Sequence, residues 1–106
     1  MIKQKFDLTG KVAIITGSSK GIGLSIARGL AENGAKVVIS SRKQDAVDEV
    51  AKDFQKDGLE AVGIACHIGD GAQREALVAK TIEKYGRVDI LVDNAAINPV
   101  YGPLEN

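Results

Sequence analysis

The residues best equipped for chemistry lie together in Thr16-Gly17-Ser18-Ser19-Lys20-Gly21-Ile22-Gly23. An apolar run, Val12-Ala13-Ile14-Ile15, leads into them, and Ile22, Ile26, Ala27 and Leu30 follow at helical spacing. Strand, glycine turn and helix is an arrangement for holding a phosphate. The turn frees backbone N–H groups to point outward, and the helix N-terminus contributes about half a positive charge. Gly17, Gly21 and Gly23 leave no side chain to hold a ligand off the backbone. Ser19 and Lys20 add a hydroxyl and a charge, and Ile22 opens the helix. The spacing is Gly-x-x-x-Gly-x-Gly rather than the common Gly-x-Gly-x-x-Gly. A plain strand-to-helix loop is the alternative. In this setting the stretch reads as a dinucleotide diphosphate site at the first βα turn of a Rossmann sheet.

A second cluster bears on which dinucleotide. In such sheets a carboxylate after the second strand holds the ribose 2′-hydroxyl, and an Arg there accepts a 2′-phosphate instead. Here the second apolar run ends in Ser40-Ser41-Arg42-Lys43, with no carboxylate. The guanidinium of Arg42 is a planar fork suited to phosphate, Ser41 stands beside it, and Lys20 could reach the same group. These residues predict NADP(H). The alternative is that Arg42 and Lys43 only solvate a loop.

Other chemistries find less support. The single cysteine, Cys66, rules out an internal disulfide framework, suits a reducing compartment, and reads as a small buried hydrophobe. Cys66 and His67 are adjacent, so on a strand they face opposite ways and cannot share one metal ion. Lys plus Arg and Asp plus Glu each number 14, and aromatics make up only 4% of the 106 residues. That balance offers neither the basic surface nor the stacking platforms expected of a nucleic-acid binder. No apolar run reaches the ~20 residues of a bilayer span, and Met1–Asp7 has no apolar signal core. A cytoplasmic location is therefore expected.

The elements that must position these residues follow from the apolar pattern. A 44% hydrophobic chain with mean hydropathy near zero can bury a core, and its length fits one domain over 1–106. Strands are predicted at Lys11–Thr16, Lys36–Ser40, Glu60–Cys66 and Val88–Asp93. Their centres are continuously apolar, as in parallel strands covered on both faces. Helices are predicted from Gly21 to Asn33, Gln44 to Lys56 and Ala72 to Tyr85. The second buries Val47, Val50, Ala51 and Phe54. The third turns Val78, Ile82 and Tyr85 to the core, with Leu77 and Thr81 beside them. Gly34, Gly58 and Gly86 stand at helix stops, and Asp70 is a candidate N-cap. Met1–Thr9 reads as a polar lead-in and Asn94–Asn106 as loop. Strict alternation of strand and helix implies right-handed βαβ units and a parallel sheet, hence a three-layer α/β fold.

Taken together, these residues resemble the short-chain dehydrogenase/reductase family. Thr16-Gly17-x-x-x-Gly21-Ile22-Gly23 matches its Thr-Gly-x-x-x-Gly-x-Gly motif. Asp93-Asn94-Ala95-Ala96 resembles its fourth-strand Asn-Asn-Ala-Gly in two of four positions, with Asp93 in place of Asn. Within the family the chain is similar to NADP(H)-dependent carbonyl and retinal reductases, which carry a like Ser-Ser-Arg-Lys stretch and Cys-His pair. The resemblance implies strand order 3-2-1-4 and hydride transfer between nicotinamide and a carbonyl or alcohol. It also implies that Asn94 and Ala95 lie by the adenosine ribose, and that His67, where many members have the Asp that contacts adenine, and the neighbouring Ile68 stand beside the adenine; the alternative is that His67 is a loop histidine with no ligand role.

The family's Ser-Tyr-Lys catalytic set, with Tyr and Lys four apart, has no counterpart here. Asp89 follows Tyr85 and Glu105 follows Tyr101 at that spacing, so no catalytic residue is assigned. The resemblance thus implies a cofactor-binding N-terminal portion of a reductase, inactive alone. The alternative is a non-catalytic folding or assembly fragment that binds cofactor weakly or not at all. Either way, Ile90, Leu91 and Val92 would form an apolar edge expected to pair with a second copy or the missing C-terminal half.

Overall fold

A computed structural model of the chain describes residues 7–67 and 69–94. The elements alternate as β1 (Val12–Thr16), α1 (Gly21–Glu32), β2 (Lys36–Ser40), α2 (Gln44–Lys56), β3 (Ala61–Gly63), α3 (Gly71–Tyr85) and β4 (Ile90–Val92). The four strands form one parallel sheet in the order β3-β2-β1-β4. β1 lies in its middle, Ile14 pairing with Val38 on one side and Leu91 on the other.

Side chains alternate across a strand, so two cores form. Ala13, Ile15, Val37 and Ile39 face Ala27 and Ala31 of α1 and Val47, Ala51 and Phe54 of α2. Ile14 and Val38 face the other way, toward Leu77 of α3 and toward Cys66 in the segment after β3. The result is three layers, with α1 and α2 on one face and α3 on the other. This second core is the thinner one, and it leaves Leu91 61% exposed.

Helix ends follow local chemistry. Gly34, Gly58 and Gly86 all take positive φ after their helices, the conformation a helix stop of this kind needs. The Asp70 carboxylate caps α3, accepting from the N–H groups of Ala72 (2.9 Å) and Gln73 (3.3 Å).

Several expectations need correction. β3 is three residues long rather than seven. Past Gly63 the Gln44 side chain stands in for a neighbouring strand, its Nε2 donating to the Gly63 carbonyl (3.0 Å) and its Oε1 accepting from the Ala65 N–H (3.0 Å). β4 likewise covers only Ile90–Val92. α3 meets the sheet through Leu77 and Thr81, which are buried, whereas Val78 and Tyr85 are half-buried and Ile82 is exposed. Thr81 can be buried because its hydroxyl donates to the Leu77 carbonyl (2.8 Å). In α1 the buried line is Gly23, Ala27 and Ala31, so Ile22, one residue off that line, is exposed. The first six residues, Ile68 and everything after Asn94 lie outside the described residues.

Candidate functional site

The glycine turn joins β1 to α1 at the carboxyl ends of the strands. Gly17 and Gly21 take φ of 61° and 67°, a region in which a side chain is strained. A Cβ on Gly17 would also meet Asn94 Nδ2 at 3.0 Å. That amide donates to the Gly17 carbonyl (3.2 Å). The Thr16 hydroxyl accepts from the Asn94 N–H (3.1 Å) and lies 3.4 Å from the Val92 carbonyl and 3.3 Å from Asp93 Oδ1. The end of β4 is thereby stitched to the turn.

Gly23 has a different task from Gly17. It is buried, and a Cβ there would lie 2.3 Å from the Gly17 carbonyl oxygen. Its bare backbone lets α1 seat against the turn. Ser18 also points inward and is fully buried. It donates to the Ile15 carbonyl (2.6 Å) and accepts from the Ser40 N–H (2.9 Å). Sequence reasoning passed over Ser18; the available signal was a small hydroxyl residue immediately after the strand and its first glycine.

The cap of α1 is Lys20, whose side chain makes no capping bond, and the first turn holds no acidic residue. α2 likewise begins at Lys43 without a side-chain cap. By contrast, α3 is capped by Asp70. The uncapped N–H groups at the start of α1 are free to meet an anion.

A cleft of about 750 Å³ opens over this turn. Gly17, Ser19 and Lys20 line it from the turn, Ser41, Arg42 and Lys43 from the end of β2, His67 from the segment after β3, and Asn94 from the end of β4. Gly21, Ile22 and Gly23 do not line it; Ile68 and Ala95 lie outside the described residues. Sequence reasoning missed Ala46, Glu49 and Val50, which form the α2 wall. Their spacing of three and four on a helix that starts at the cleft was the signal. Lys20, Arg42 and Lys43 are exposed and pair with no carboxylate among the described residues. Cys66 also lines the cleft, and burial pushes its thiol pKa up. Among the described residues no three His, Cys, Asp or Glu side chains group to hold a metal.

Tyr85 sits elsewhere. Its hydroxyl donates to Glu60 Oε2 (3.0 Å) ahead of β3, at the opposite rim of the sheet. Burial and the Glu60 carboxylate raise its pKa well above the ordinary phenol value. No helix among the described residues is long and apolar enough to cross a membrane.

The cleft lies outside the carboxyl ends of the strands, running from the end of β4 across the turn after β1 to the end of β2 and the segment after β3, and so includes the point between β1 and β4 where the strand order reverses. That is the ligand-binding position of open α/β sheets. Fold and cleft together define a Rossmann-type α/β protein. Residues 11–105 match the short chain dehydrogenase family model, and the chain belongs to that family. It is 50% identical over 103 residues to dehydrogenase/reductase SDR family member 4 of Oryctolagus cuniculus, covering 97% of this chain and 40% of that protein. It is 52% identical over 101 residues to human dehydrogenase/reductase SDR family member 2, mitochondrial, covering 95% and 36%. The crystal structure of a hydroxysteroid dehydrogenase from Escherichia coli superposes with a TM-score of 0.81 at 42% identity, over 83% of this chain and 37% of that one. The chain thus spans about two-fifths of the length of these relatives.

Proposed function

We propose that the chain is the NADP(H)-binding portion of an oxidoreductase acting on a carbonyl or alcohol, with the reacting side chains supplied by sequence outside it. The observation that carries this reading is the trio Lys20, Arg42 and Lys43, unpaired with any described carboxylate, around one cleft at the end of β2. The cofactor fits the residues present. Gly17 and Gly21 hold the turn open, the N-terminus of α1 is uncapped, and Arg42, with Lys20 and Lys43 on the same cleft, answers a 2′-phosphate.

The roles follow from position. Ser19, Lys20 and the first N–H groups of α1, at Gly21 and Ile22, hold the diphosphate. Gly23 lets α1 approach closely enough to aim them. Ser41 and Arg42 take the 2′-phosphate. His67 flanks the adenine, and Asn94 lies along the ribose. When bound, the nicotinamide supplies or accepts hydride. A reducing, cytoplasmic setting fits the single buried thiol.

Charge-assisted hydrogen bonds contribute about 1.5–3 kcal/mol each. One such bond favours NADPH over NADH by about 10- to 150-fold. Calorimetric titration of the chain with both cofactors tests this, and Arg42→Ala is expected to remove most of the preference. Equal affinity of the unmutated chain for the two would refute the assignment.

A second reading, a non-catalytic folding or assembly fragment that binds cofactor weakly or not at all, is favoured by the lack of a Tyr followed four residues later by Lys. Under either reading the β4 edge pairs with the rest of a longer fold or with a second copy. A titration in which NADPH releases no heat and shifts no melting temperature selects the second.

A further inference from the structure

Ser18 is fully buried and does not line the cleft, so it touches no ligand there. It nevertheless makes three polar links. Its hydroxyl donates to the Ile15 carbonyl at the end of β1 (2.6 Å) and accepts from the Ser40 N–H (2.9 Å), while its own N–H donates to the Ser40 carbonyl (3.0 Å). Both peptide groups of Ser40 are therefore tied to one residue of the glycine turn. Ser40 closes β2, and Arg42 follows only two residues later. On the far side the Ser41 carbonyl accepts from the Cys66 N–H (2.8 Å), so the run into Arg42 is clamped from two directions. An alanine at position 18 would keep the backbone link to the Ser40 carbonyl. What the hydroxyl adds is the link to the Ser40 N–H and the anchor to β1. Removing it takes one partner from the Ser40 N–H and one from the Ile15 carbonyl, which loosens the hold on Ser40 and the residues after it.

We propose that Ser18 is a positioning residue that couples the diphosphate turn to the segment selecting the phosphorylated cofactor; this rests on the reading of the cleft given above. A residue that only stabilised the turn would, when lost, weaken phosphorylated and unphosphorylated ligands alike. One that places Arg42 relative to the turn weakens the phosphorylated ligand more.

The test uses the full chain with adenosine 2′,5′-bisphosphate and adenosine 5′-diphosphate as calorimetric probes, and amide hydrogen exchange without ligand. In Ser18→Ala the amides of Ser41, Arg42 and Lys43 are expected to exchange faster while those in the centre of α2 do not. The preference for the 2′,5′-bisphosphate is expected to fall by about 2- to 12-fold, the equivalent of one neutral hydrogen bond. In an Arg42→Ala background, Ser18→Ala should leave the remaining preference unchanged. Unchanged exchange at residues 41–43, or an equal loss for both nucleotides, overturns the proposal. If the unmutated chain binds neither nucleotide, the cofactor reading fails and the exchange data alone decide the role of Ser18. Should Ser18→Ala not fold, Ser18→Cys, close in volume but a weaker hydrogen-bonding group, carries the same readouts.

Discussion

Two glycines of α1 should respond to the same substitution with opposite sign. Gly23 packs onto the turn, and an added Cβ would lie 2.3 Å from the Gly17 carbonyl oxygen, 2.9 Å from its carbon and 3.0 Å from Ser18 Cα. All three are backbone atoms, so no flexible side chain can yield. Either α1 backs away or the turn is displaced, and overpacking of this kind costs about 1–3 kcal/mol. Gly29 lies in the same helix with nothing within 4 Å of its would-be Cβ. There an alanine lowers the entropy of the unfolded chain and favours the helix, a gain of about 0.5–1 kcal/mol. In a domain of this size about 1 kcal/mol moves the melting temperature by about 4–8 °C. Gly23→Ala should therefore melt about 4–24 °C lower than the unmutated chain, and Gly29→Ala about 2–8 °C higher. Thermal melts followed by far-UV circular dichroism compare the two directly. A melting point for Gly23→Ala within a degree of the unmutated value would refute the close seating of α1 on the turn.

Two further perturbations follow from the surface. Asp89 pairs with Arg87 (2.7 Å) and accepts from the Val12 N–H (2.9 Å), which together hold its carboxyl below the ordinary value of 3.8. Its stabilisation is thus complete above that value and is lost as pH falls through the lower, folded one. The urea midpoint of Asp89→Asn should lie below that of the unmutated chain at pH 7, with the gap closing toward pH 2; a gap independent of pH would contradict the ionic origin. Leu91 is 61% exposed on the sheet edge, so Leu91→Lys should leave the melting temperature within about 4 °C while reducing self-association in sedimentation. Unaltered association would place the contact elsewhere.

Much of this molecule was legible in its residues because the strands of a parallel sheet announce themselves, the two central ones buried on both faces and the edge strand β4 only in part. Val12–Ile15, Val37–Ile39 and Ile90–Val92 each form an unbroken apolar run, and a positive-φ glycine ends each helix or follows its C-cap. The cleft's charged side could be read at Arg42 because the chemistry that matters there is local to the end of β2. What escaped depended on partners distant in sequence. Gln44 replaces a strand neighbour for Gly63 and Ala65 some twenty residues away. Ser18 turns inward to Ser40, 22 residues on. On α3 the choice between the lines through Leu77 and Ile82 rests on a small rotation. Hydrophobicity alone favours isoleucine, yet Thr81 is buried beside Leu77 by satisfying its hydroxyl within the helix. Gly23 was legible as a glycine that mattered, but its role in packing shows only once Gly17 is placed above it.

The central claim is that an open glycine turn, aimed by α1, receives the diphosphate of a phosphorylated nicotinamide dinucleotide. Its most direct test is titration of the ¹⁵N-labelled chain with NADPH, following backbone amides. The expected result is that Gly17, Ser19, Lys20, Gly21 and Ile22 shift together with Arg42, at one affinity, while the amides around Tyr85 at the opposite rim stay still. Shifts confined to other surfaces, or none at saturating NADPH, would contradict it.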